Sequence, residues 1–430
     1  MGPEALSFIV FIVSMLTLMG IGLSMALALV LTGAAMAWTL DFWDTQLLAQ
    51  NLVAGVDSFP LLAVPFFILA GELMNSGGIS RRIIDMAQAW VGHIRGGLGF
   101  VTIAAAILMA SMSGSALADT AALATILLPM MRKQGYPMNT SAGLVASGGI
   151  IAPIIPPSMP FVIYGVTTNT SISLLFLSGI VPGLIMATGL IIAWKLELRR
   201  IDLPEGKPQP MRQRLQTSVK AFWAMLMPVI IIGGMKSGIF TPTEAAVVAA
   251  FYALVVALFI HREMKVVEIY EVLLRAAKTT GIVMFLCAGA QVASYMITLA
   301  DLPGVLIDWL GPLVESPRLL VAVMMIVQVM IGMVLDLTPT ILIFAPVMLP
   351  IAVKAGVDPV YFGLMFVLNG SIGLITPPVG TVLNVIAGVG KMPMHHVVKG
   401  VSPFLIVYLL ILILFVTFPQ IVTAPVAWMR

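Results

Sequence analysis

Two short runs of hydroxyl, glycine and carboxylate residues interrupt long apolar stretches of this 430-residue chain. The first is Ser111-Met112-Ser113-Gly114-Ser115, followed by Asp119, and the second is Asp336-Leu337-Thr338-Pro339-Thr340. Each supplies hydroxyl and carbonyl oxygens, and the second opens on a carboxylate. Two further stretches, Gly148 to Ser158 with Pro153, Pro156 and Pro157, and Gly370 to Pro378 with Pro377 and Pro378, cannot stay helical throughout. Successive prolines remove donors and clash with the preceding turn. Unwinding there frees carbonyls able to coordinate a hard cation such as Na⁺, and the restarted half-helix aims its positive end at an anion. One polar run and one break in each half of the chain give two cation sites with substrate between them. The candidate substrate contacts are Ser115, Asp119, Ser158, Asp336, Thr340 and Thr381.

Acidic residues inside apolar runs are functional candidates by default, which singles out Asp119 and Asp336. Asp336 could equally cap the helix that starts after it. Glu72 is expected to be paired inside the bundle. Glu244 closes Thr241-Pro242-Thr243-Glu244, a capping box with proline at the first helical position. The histidines His93, His261, His395 and His396 have no zinc spacing, and no Walker A motif surrounds Gly206-Lys207 or Gly390-Lys391. No catalytic His, Cys or carboxylate constellation is visible, so an enzyme is not expected. The single cysteine, Cys287, reads as a small packing residue.

These runs need elements to hold them, and composition says which. Sixty per cent of the chain is apolar and 10% charged, against about 25% charged in soluble domains. Hydrocarbon tolerates such helices and water does not, so an all-α membrane protein follows. The net charge of +3 carries no basic stripe of the kind that binds nucleic acid. The first residues lack a basic leader, and the apolar stretch from residue 5 to 40 reads as two spans. At about 1.5 Å per residue, residues 97–134 and 319–353 are too long for single spans. Each fits a re-entrant hairpin with its polar run at the tip, because irregular backbone at membrane depth must line a cavity or pack in protein. Broken spans cover 140–167 and 358–390. A charged arm at 261–278 is expected to precede a span at 279–300. The total is about eleven crossings plus the two hairpins.

The second half echoes the first about 220 residues later: Pro156-Pro157 matches Pro377-Pro378, and Gly135 matches Gly356. Residues 1–195 and 221–430 form the repeats. The linker 196–220 sits in a stretch carrying Lys195, Arg199, Arg200, Lys207, Arg212, Arg214 and Lys220, which places it in the cytoplasm. Basic residues dominate the loops of the first half (Arg81, Arg82, Arg95, Arg132 and Lys133 against Asp85). Acids dominate the matching loops of the second (Asp301, Asp308, Glu315 and Asp358 against Arg318 and Lys354). The repeats are therefore expected to be inverted, the pattern of secondary transporters.

With these motifs in hand, the sequence resembles the large membrane subunit of tripartite ATP-independent periplasmic (TRAP) transporters. The matching stretches are Phe66 to Glu72, Ser111 to Ala121, Gly148 to Pro157, Thr241 to Ala245, Leu335 to Thr340 and Ile375 to Gly380. The resemblance covers essentially the whole chain and is strongest to members serving sugar-acid or keto-acid uptake. It implies a bacterial inner-membrane protein that takes C4-dicarboxylates, sugar acids or keto acids from a periplasmic binding protein. It also implies a separate small membrane subunit of about four helices, Na⁺ as coupling ion with no other cofactor, and elevator-type sliding of the hairpin-bearing part. By the same resemblance one Na⁺ site falls on Ser113, Gly114, Ser115, Gly149 and Pro153, and the other on Thr338, Gly373, Thr376 and Pro377. A self-sufficient cation–carboxylate symporter or cation antiporter of related fold is the alternative.

Overall fold

A computed structural model describes residues 3–201, 203, 205–206 and 208–429; Asp202, Pro204 and Lys207 of the basic loop lie outside it. Every regular element among the described residues is helical. Among these residues, seven helices are long and apolar enough to cross a membrane, and seven shorter apolar helices of 10–17 residues accompany them. The protein is thus an all-α, multi-pass membrane protein. The expected arm at 261–278 and span at 279–300 are instead largely one helix, Glu268–Leu299, of 32 residues. No proline interrupts it, so the charged arm simply continues into the span.

The first hairpin consists of Gly97–Ser113 and Ala116–Lys133, joined at Gly114 and Ser115. Gly114 turns the chain at φ +62°, a left-handed conformation that suits glycine. Ser115 then caps the second limb, its hydroxyl accepting from the Ala118 N–H. The second hairpin consists of Pro317–Gly332 and Leu337–Lys354. Its turn is therefore 333–336, and Thr338 and Thr340 lie inside the following helix rather than at the tip. Pro339 does not prevent this, because the first turn of a helix leaves its N–H groups without intrahelical partners anyway. The broken helices are Met138–Gly149 with Met159–Thr168, and Pro359–Gly373 with Thr381–Gly390. Between their halves lie the two proline pairs, both joined by cis peptide bonds.

The two halves pack on each other reciprocally. The helix Met25–Thr39 lies against Glu268–Leu299, while Pro242–Val255 lies against Ala63–Ser76. Likewise Leu337–Lys354 packs on Met159–Thr168, and Ala116–Lys133 packs on Thr381–Gly390. Arg132 at the end of the first hairpin donates to the Gly390 carbonyl at 3.1 Å, so a cation meets the negative end of that half-helix. Two ion pairs also cross between halves: Arg82 with Glu263 at 2.7 Å, and Arg275 with Glu72 at 3.1 Å. The Thr241–Glu244 capping box forms with both reciprocal bonds. Cys287 is buried.

Close backbone approach holds the first broken helix to the last long span. A side chain at Gly143 would run into the backbone of Gly400 and Val401. We expect Gly143→Leu to cost at least about 2 kcal/mol and to abolish a monodisperse peak in detergent. Gly388→Ala, in a helix with open space around it, should be neutral or stabilising by up to about 1 kcal/mol. Equal behaviour of the two variants would show that this packing is misassigned.

Candidate cation and substrate site

The first hairpin tip sits on the first break. A Cβ on Gly114 would meet the Pro157 carbonyl at 2.7 Å and the Met159 nitrogen at 2.9 Å. Only glycine allows that approach. Around it, Ser113 Oγ–H donates to Asp119 Oδ1 at 2.5 Å, and the same hydroxyl accepts from the Ser115 N–H at 3.1 Å. Ser158 donates its hydroxyl proton to the Pro153 carbonyl and, through its oxygen, caps the restarted half-helix at Phe161. One turn into the second limb, Thr120 presses against Gly149 so closely that a Cβ there would overlap its hydroxyl. Thus Ser113, Gly114, Ser115, Asp119, Gly149, Pro153 and Ser158 gather at one junction.

Two oxygens at this junction stand out. Asp119 Oδ2 and Thr120 Oγ1 are buried and meet no hydrogen-bond donor or acceptor among the described residues. An unpaired polar oxygen at membrane depth is costly, so such atoms suit a bound cation or proton. Residue types alone do not single out Thr120. A signal for it exists nonetheless: it follows Asp119 directly, and the helical period places it over the tip.

The second junction uses the same parts differently. The Met333 carbonyl at the turn accepts from the Gly380 N–H at 3.0 Å, and Gly332 meets Gly373 backbone to backbone. Asp336 takes the extended backbone of a helix cap, yet its side chain makes no capping bond. It accepts instead from Thr381 Oγ–H at 3.4 Å. Thr376 and Thr340 donate to the carbonyls of Ile372 and Asp336, and Thr338 is buried in the first turn of the helix that follows the tip. The first break is enclosed, whereas Pro378 and Val379 of the second are exposed and Pro377 half-buried. Sequence reading also misses Gln328 and Asn369, fully buried amides behind this junction.

Each junction collects two helix C-termini and two helix N-termini. The first set therefore presents carbonyl oxygens and the second presents N–H groups. The donor set is all oxygen, which fits a hard monovalent cation. The second limb of each hairpin also packs on the restarted half-helix of the other half.

Residues 8–421 match the sequence profile of a family described as tripartite ATP-independent periplasmic transporter, DctM component. The chain belongs to the DctM family. A relative in Escherichia coli (strain K12), a 2,3-diketo-L-gulonate TRAP transporter large permease protein, is 53% identical over 99% of this chain and 100% of its own length. A C4-dicarboxylate TRAP transporter large permease protein of Pseudomonas aeruginosa is 40% identical, covering 89% of this chain and 90% of its own. The crystal structure of the Alcanivorax borkumensis YdaH transporter shares the fold at TM-score 0.66 and 14% identity, over 98% of this chain and 100% of that one. This DctM-family chain is therefore a transporter permease subunit of the TRAP type.

The Ser113–Asp119 contact can be tested directly. In SDS-induced unfolding of mixed micelles, Ser113→Ala and Asp119→Asn should be non-additive, with a coupling of at least about 1 kcal/mol. Additivity within about 0.3 kcal/mol would mean that the tip is not closed by this bond.

Proposed function

We propose that the chain is the translocating subunit of a Na⁺-coupled uptake system for small organic anions, sugar-derived keto acids or sugar acids first among them. The observation carrying this is the pair of tip-on-break junctions, each joining oxygen donors to helix N-termini. Cations held at Ser113, Gly114, Ser115, Gly149 and Pro153, and at Thr338, Gly373, Thr376 and Pro377, would supply the positive charge that an anion needs. The apolar centres of the spans offer no Lys or Arg for that purpose. Substrate would lie between, reached by Ser115, Asp119, Ser158, Asp336, Thr340 and Thr381. The Escherichia coli relative, matched over its full length and named for a diketo sugar acid, supports the substrate class.

In this reading the two halves lie inverted in the bacterial inner membrane, as their opposite loop charges suggest. The hairpins and broken helices slide together, elevator-fashion, against the remaining helices. A separate four-helix subunit and a periplasmic binding protein complete the system, in keeping with the tripartite family.

Reconstitution in liposomes tests the assignment. Uptake should require an inward Na⁺ gradient, the small subunit and the binding protein together. Na⁺-driven uptake by the chain alone would replace the tripartite reading with a self-sufficient symporter. Thr376→Ala or Ser115→Ala should raise the half-saturating Na⁺ concentration by about tenfold, a loss of about 1.4 kcal/mol. An unchanged Na⁺ response in both would remove these residues from the cation sites.

A further inference from the structure

Gln328 and Asn369 are wholly buried amides in two otherwise apolar helices, Pro317–Gly332 and Pro359–Gly373. They form a ladder between the second hairpin and the second broken helix. Gln328 Nε2 donates to the Phe366 carbonyl at 2.6 Å. Asn369 Nδ2 donates to the Met325 carbonyl at 2.8 Å and to Gln328 Oε1 at 3.1 Å. Asn369 Oδ1 is buried and accepts no hydrogen bond among the described residues. Polar groups at this depth are expensive, so three bonds between the same two helices need a reason.

Location provides it. Gln328 and Gly332 are four apart on one helix, and Asn369 and Gly373 four apart on the other, so each pair shares a face. The ladder thus lies one turn from the Gly332–Gly373 contact, where the second break begins. A Cβ on Gly370 would sit 3.3 Å from Gln328 Nε2, which shows how closely the amide abuts the backbone ahead of the break. The first half lacks this device. Asn369 precedes Pro377 by the same interval as Gly148 precedes Pro156, and Gly148 merely packs on Ala106. Small-residue packing fixes distance but leaves sliding along the helix axis less restrained than directional bonds do.

We infer that Gln328 and Asn369 are positioning residues for the second cation site. Their ladder fixes the axial register of hairpin on broken helix, and with it the carbonyls of the second break. The bonds of the ladder are made without any cation, so they hold the second site's carbonyls in place before one binds. This inference rests on the Na⁺-coupled reading given above.

Two readouts test it: Na⁺-specific thermal stabilisation of the detergent-solubilised chain against a K⁺ control, and Na⁺-titrated uptake by the full reconstituted system. Asn369→Leu and the double variant Gln328→Met/Asn369→Leu should each raise the half-saturating Na⁺ concentration about tenfold. Half-saturation by substrate at saturating Na⁺ should stay within about twofold. Asn369→Ser, which keeps a short polar group, should fall between. If Asn369→Leu alone folds poorly, the double variant carries the test, because it leaves neither amide stranded. A folded double variant with wild-type Na⁺ half-saturation overturns the inference and leaves the amides as packing. Wild-type protein with no Na⁺ response in either readout overturns the coupling proposal, and the inference falls with it.

Discussion

Backbone polarity in an apolar medium is the constraint on which this structure turns. An N–H or C=O freed at membrane depth must find a partner inside the protein. The chain frees such groups four times, at two hairpin turns and two proline-rich breaks. It then answers the requirement by laying each turn on a break. Gly114 lets the first turn touch Pro157 and Met159, and the Met333 carbonyl takes the Gly380 N–H in the second. The Ser158 hydroxyl takes up the Pro153 carbonyl, the Ser113 hydroxyl accepts from the Ser115 N–H, and Ser113 and Thr381 donate to the carboxylates of Asp119 and Asp336. What is left over, such as Asp119 Oδ2, is a small set of oxygens in a confined place.

The halves share a plan but not its details. The first junction is enclosed, rich in hydroxyls and held by glycine and alanine contacts. The second opens at Pro378 and Val379 and is braced by buried amides. The two junctions thus differ in what surrounds them, small side chains and hydroxyls at one and amides at the other. Packing is reciprocal, with each hairpin's second limb against the other half's restarted helix.

Much of this is legible from residue types alone. The proline pairs announce both breaks. Ser113-Gly114-Ser115 announces the first turn, since small polar residues at the centre of an overlong apolar stretch suit a tip far better than a continuous span. The capping box at Thr241 and a partner for Glu72 can also be read directly, although the Glu72–Arg275 pair is partly exposed rather than inside the bundle. The second turn is displaced by a few residues from its expected place because Pro339 looks like a breaker, whereas in a first helical turn it is harmless. The continuity of Glu268–Leu299 is hidden because charges suggest an interfacial arm without saying where a helix stops. Thr120, Gln328 and Asn369 escape notice on different grounds. They are uncharged and sit in regular helix; Thr120 could be found from its place beside Asp119, whereas Gln328 and Asn369 show their bonds only across the bundle.

The uninterrupted helix from Glu268 to Leu299 has a consequence for the surrounding lipid. At about 1.5 Å per residue it is about 48 Å long, while the hydrocarbon layer is about 30 Å thick. Its charges, Glu268, Glu271, Arg275 and Lys278, are confined to its first three turns, and the remainder is uncharged. Its face carries Gly289 against Ala26, and its partner helix lies along it. Tilting the rod to suit a thinner layer therefore tilts that partner too. A rod of this length, packed along its partner, ties the tilt of both helices to the thickness of the layer around them.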